Sequence, residues 1–91
     1  MKNKVIISVS DGHKRAEIGF EKFVHKGVAS WMAESLQNDF VTDDAFYNCS
    51  TRRIEVQNWN TTLDLEKLTD SLFELMNEQC MEAEFQVQHA H

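Results

Sequence analysis

The chain has 91 residues, 42% of them hydrophobic and 26% charged, with no proline and a formal net charge of −6. That length makes one domain, and the composition argues against a disordered chain. The negative balance disfavours nucleic acid as a partner unless the charge is segregated along the molecule.

In chain order, residues 3–9, NKVIISV, set Val5, Ile7 and Val9 on one side at period two. Asp11-Gly12 follows, a hairpin signal because glycine tolerates positive φ. Residues 15–23 alternate again, with Ala16, Ile18 and Phe20 inward and Glu17 and Glu21 outward. The period then changes. Val28, Trp31, Met32, Leu36 and Phe40 recur at helical spacing, which predicts a first helix over 25–38. Residues 41–50 read as a connection, with Thr42 or Asp43 starting at most one helical turn. Residues 51–59 alternate Ile54 and Val56 against Arg53, Glu55 and Gln57, a third strand. Thr61 with Asp64 approximates a capping box. Leu65, Leu68, Leu72, Leu75, Met76 and Cys80 then form the wide apolar face of a second helix. Residues 83–89 return to alternation, with Ala83, Phe85 and Val87 against Glu84, Gln86 and Gln88. The expected fold is a two-layer α+β domain of order ββαβαβ. Two helices would pack on one face of a mixed four-stranded sheet, with residues 88–91 a disordered tail. If the last two strands are parallel, the second helix is their right-handed crossover.

Charge is segregated. Residues 1–26 hold six bases and three acids, giving +3; residues 64–91 hold one base and seven acids, giving −6. Within the second helix region, Glu66, Asp70, Glu74, Glu78 and Glu82 recur at every fourth position, with Lys67 the single base. Four residues advance a helix by about 6 Å and turn it about 40° past a full circle, so the acids form a slowly winding ridge. Each like-charged i,i+4 pair costs about 0.2–0.5 kcal/mol. The plain reading is a solvated helix face. The sharper one is a docking surface for a basic protein, with an imitation of nucleic acid as its limiting form. Duplex DNA carries a charge per about 1.7 Å of axis, so imitation needs Asp39, Asp43, Asp44, Asp64 and Glu84 to join the ridge. A linear ridge does not converge its oxygens as a hard cation requires.

Other features carry weaker signals. Lys14 and Arg15, with Arg52 and Arg53, are candidates for phosphate contacts, or simply charges that blunt a sheet edge. His89 and His91 are too few for a zinc site, which takes three or four ligands. Cys49 and Cys80 form neither a CxxC pair nor a disulfide framework, and are expected to be buried, reduced thiols. Trp59 is either a lid folded onto the core or, if exposed, a binding hot spot. No nucleophile–base motif, glycine-rich phosphate loop or metal-protease motif occurs, so neither a cofactor nor an enzymatic activity is expected. VIISV is too short for a bilayer span or signal core, and the expected location is cytoplasmic.

In layout alone, the chain is similar to the small acidic proteins that phages and other mobile elements make against host defence. These include anti-restriction and anti-CRISPR inhibitors, some of which imitate DNA. The resemblance covers size, charge and the lack of a catalytic motif, and it transfers no residue. The first expectation is therefore a non-enzymatic protein-binding module. Its acidic helix face (Glu66, Asp70, Glu74, Glu78), joined by Asp43, Asp44 and Trp59, would engage a basic surface on a nucleic-acid-handling protein. The alternatives are a small nucleic-acid-binding domain using the basic hairpin, and a homo-oligomeric subunit paired through exposed strand edges.

Overall fold

The structure, a computed structural model, describes residues 2–89. The elements are β1 (Asn3–Ser10), β2 (Arg15–Phe20), α1 (Lys26–Asn38), β3 (Asp44–Asn48), β4 (Arg53–Gln57), α2 (Leu65–Glu78) and β5 (Ala83–His89). They form an α+β domain with one mixed sheet of order β3-β4-β2-β1-β5. All neighbours are antiparallel except β1 and β5, which are parallel. No helix among the described residues is long and apolar enough to cross a membrane.

The sheet has five strands where four were expected. The additional strand is β3, within the segment read as a connection. Its sequence DAFYN hides the signal: the small Ala45 is buried while Phe46 is 51% exposed, and Asp and Asn at the ends are poor strand formers. The last strand runs parallel to β4 with α2 as the crossover between them, and β2 and β1 lie in between. Gln88 and His89, expected in a tail, pair with Ser8 and Val9. Residues 90 and 91 lie outside the described residues.

The core fills the space between one sheet face and the helices. Val5, Ile7, Val9, Ala16, Ile18, Ile54 and Val56 point into it from the sheet, and Ala29, Met32, Ala33 and Leu36 from α1. Leu68, Leu72 and Met76 add the buried stripe of α2. The N-cap of α2 is Asp64 itself, whose side chain accepts from the Lys67 amide at 3.1 Å. The box expected from Thr61 does not form; Thr61 accepts instead from the Asn58 side chain.

Both helices stop by the same device. After α1, the Phe40 amide donates to Gln37 and the Val41 amide to Leu36; after α2, the Cys80 amide donates to Asn77 and the Met81 amide to Met76. This is a Schellman ending, with Phe40 (φ 57°) and Cys80 (φ 57°) in the left-handed position that glycine usually takes. It corrects the reading of these two residues as continuations of the apolar helix faces. Phe40 is 86% exposed and Cys80 is exposed, while the next residue, Val41 or Met81, turns back onto the core.

Two substitutions separate core from terminator. Leu72→Ala should cost about 2–5 kcal/mol through the cavity it leaves. Phe40→Gly should stabilise by about 0.5–1 kcal/mol, because a side chain in the left-handed region is strained. Urea unfolding reads both, and a loss of several kcal/mol in Phe40→Gly would return Phe40 to the core.

Candidate functional site: the exposed side of α2

Leu68, Leu72 and Met76 commit one side of α2 to the core, which turns the opposite side outward. Glu66, Asp70, Glu74 and Glu78 are all exposed there. Asp64, Glu66, Lys67, Asp70, Ser71 and Glu74 line an open depression of about 400 Å³. The ridge makes no internal use of its carboxylates. The one ion pair among the described residues is Arg53–Glu17, at 3.2 Å on the sheet. Lys67, the base within the depression, forms no ion pair there either. What the ridge offers chemically is negative charge and hydrogen-bond acceptors at a fixed spacing.

The other expected members of the site lie elsewhere. Asp43 is tied into the loop that carries Trp59: its carboxylate accepts from the Trp59 amide at 2.8 Å, and its own amide donates to the Asn58 side chain at 2.9 Å. Asp44 lies at the opposite edge of the sheet from β5, where it lines a depression on the open face with Arg15, Glu17 and Glu55. The helix that packs against β3 is α1, whereas α2 packs against α1 and β5. The ridge is therefore not extended by this aspartate pair. Trp59 is 55% exposed and is no lid. The strand ends at Gln57, and Leu63, not Trp59, supplies the buried apolar residue of that loop.

The basic residues do not form one patch. Arg15 sits opposite Gln57 and Arg53 at the other end of β4, about 13 Å along the strand. Lys14 is exposed in the β1–β2 turn, and Arg15, the first residue of β2, lies beside Glu17, Asp44 and Glu55 on the open face. Arg53 is paired with Glu17. Arg52, at φ 58° in the β3–β4 turn, lines a hollow of about 280 Å³ with Phe23, Lys26 and Tyr47. Phe23, which falls on the face opposite Phe20 in the period-two reading, is 78% exposed just beyond the end of β2.

His89 meets His13 rather than a terminal neighbour, with ring centroids 5.0 Å apart; His91 lies outside the described residues. Among the described residues no group of three or more His, Cys, Asp or Glu side chains is gathered to hold a metal ion. Both cysteines are exposed, contrary to the expectation of buried thiols: Cys49 lies in the β3–β4 turn and Cys80 in the α2 terminator.

No protein-family model matches the chain, and neither a curated protein nor a solved structure is significantly similar to it.

The cysteine placement is directly checkable. A thiol-reactive chromogenic reagent should titrate both cysteines in the native protein, without denaturant, at rates near those of the unfolded chain. Protection of either thiol would contradict its exposed position.

Proposed function

We propose that this chain is a non-enzymatic protein-binding module that uses the acidic side of α2 to engage a basic surface on a nucleic-acid-handling protein. The observation that carries the reading is the idleness of four exposed carboxylates. Glu66, Asp70, Glu74 and Glu78 share one side of a helix whose other side is fully used by the core, and none is in an ion pair among the described residues. Three like-charged i,i+4 neighbours cost about 1 kcal/mol in total. In a domain with about 5–15 kcal/mol of stability, that cost is tolerable, and it leaves four carboxylates free to meet a partner.

The mechanism is electrostatic docking. Long-range attraction speeds encounter, and paired charges fix the register on the partner. Occupying a surface that otherwise holds phosphates would block the partner, which is the mode of an anti-restriction or anti-CRISPR inhibitor made by a phage or other mobile element. That finer form rests on size, charge and layout. A full imitation of duplex DNA is not part of it, because the ridge carries one charge per about 6 Å of helix and Asp43 is held by the Trp59 loop.

The test is affinity capture from a host lysate, with the wild type beside a folded Glu66→Gln, Asp70→Asn, Glu74→Gln, Glu78→Gln variant. The expected result is a basic protein held by the wild type, lost by the variant, and eluted near 0.5 M salt, where screening acts within about 4 Å. A partner retained equally by both, or unmoved by salt, would overturn the proposal.

A further inference from the structure

The two edges of the sheet are unlike. At the β3 edge, the outward Ala45 amide donates to the Gln37 side-chain oxygen at 3.4 Å, and α1 packs directly on the strand. Among the described residues, the β5 edge has no comparable cover. Asn3 lies opposite Ala83, and its amide donates to the Glu82 carbonyl at 2.9 Å. In a parallel ladder that phase directs the amides and carbonyls of Glu84, Gln86 and Gln88 toward β1. Those of Ala83, Phe85, Val87 and His89 point away from the sheet. Among the described residues no strand lies beyond β5. Natural edges are commonly blunted by lysine, proline or a bulge; AEFQVQH contains neither lysine nor proline and one charge, Glu84.

Apolar side chains beside this edge also lack cover. Val87 is in register with the buried Ile7 on the helix side of the sheet, yet it is 38% exposed, and Phe73 on α2 is 47% exposed. The β4–α2–β5 crossover joins parallel strands, and such crossovers are right-handed. With that hand, the side of α2 that carries Thr69 and Phe73 faces outward over β5, and the side with Ser71 and Leu75 faces α1.

We infer that β5 is a dimerisation strand. A second copy of the chain adds its own β5 antiparallel across a two-fold axis at Gln86, and the two sheets become one. The arrangement is self-complementary, as a two-fold interface must be. Phe85 faces Val87 of the second copy, an aromatic–β-branched pair of the kind that stabilises sheets. Glu84 faces Gln88, so the single carboxylate of the strand meets no like charge. The axis is perpendicular to the sheet, so all helices lie on one face and the two Phe73 flanks meet at the seam. This inference is independent of the proposed partner, and salt distinguishes them: screening the −6 charge of each copy strengthens self-association, whereas docking on the acidic ridge weakens.

Gln86 would face its own copy as a non-hydrogen-bonded pair with Cα atoms about 4.5 Å apart, within disulfide reach. In a Cys49→Ser, Cys80→Ser background, Gln86→Cys should give a covalent dimer on air oxidation, and Glu84→Cys should not. The wild type should sediment as a dimer between micromolar and millimolar concentration. Val87→Pro removes an outward amide and no bond to β1, and should sediment as a monomer with an unchanged circular dichroism spectrum. A wild type that stays monomeric throughout, or equal cross-linking at the two cysteine positions, would overturn the inference. Should Val87→Pro fail to fold, hydrogen exchange of the wild type decides. Protection of the Phe85, Val87 and His89 amides that rises with concentration supports the dimer, and concentration-independent exchange refutes it.

Discussion

The burial of β1 between its neighbours is the constraint on which the rest of the structure depends. Val5, Ile7 and Val9 are at most 1% exposed, and the strand joins the nearest and the farthest parts of the chain: β2 through a short hairpin and β5 from the C-terminal end. The buried Asn3 side chain seals the same end, accepting from the Lys22 amide and donating to the Lys22 carbonyl. Because β5 must reach the far side of β1, the chain leaving β4 has to pass over β2 and β1. That passage is α2. Its two ends are tied to the hairpin layer, Leu63 to the His13 carbonyl at 2.7 Å and the Glu82 carbonyl to the Asn3 amide at 2.9 Å. The acidic ridge is thus presented by a helix anchored at both ends, on a rigid face rather than on a loop.

The division of labour within α2 follows. Its apolar stripe closes the core, and burial of such side chains is worth about 1.5–3 kcal/mol each. Its acids touch nothing that the fold requires. Glu78 stands near the helix C-terminus, where a carboxylate is unfavourable to the helix dipole, while Glu66 in the first turn is favourable. The ridge is therefore close to neutral or mildly costly for stability. A feature of that kind persists either as a solvated surface or for what it binds, and its continuity along one side is what favours binding.

Much of this architecture was legible in the sequence, for reasons that are local. Period-two runs around Val5–Val9 and Ile54–Val56 located strands, and the Leu68–Leu72–Met76 spacing located α2 and, by exclusion, its exposed acids. What escaped has a shared cause. Phe40, Cys80 and Phe46 are apolar residues placed outward by backbone geometry: two by left-handed helix terminators, one by the pleat of an edge strand. Hydropathy patterning assigns apolar residues inward and cannot see a positive φ at a non-glycine residue. The partners of β5 were equally hidden, because alternation defines a strand and not its neighbour; the register against β1 comes from tertiary packing. For the candidate site, the shared exposed side of the four α2 carboxylates was legible from helical spacing, whereas Asp43 and Asp44 join them by charge alone and lie on other surfaces.

The separation of fold from function within α2 is most directly tested by equilibrium unfolding of the Glu66→Gln, Asp70→Asn, Glu74→Gln, Glu78→Gln variant beside the wild type. If the carboxylates serve a partner rather than the fold, the variant should be as stable as the wild type or more stable by up to about 1 kcal/mol, from relief of like-charge repulsion. A clear loss of stability would show that the ridge holds the structure together, and would contradict its assignment as a surface kept for binding.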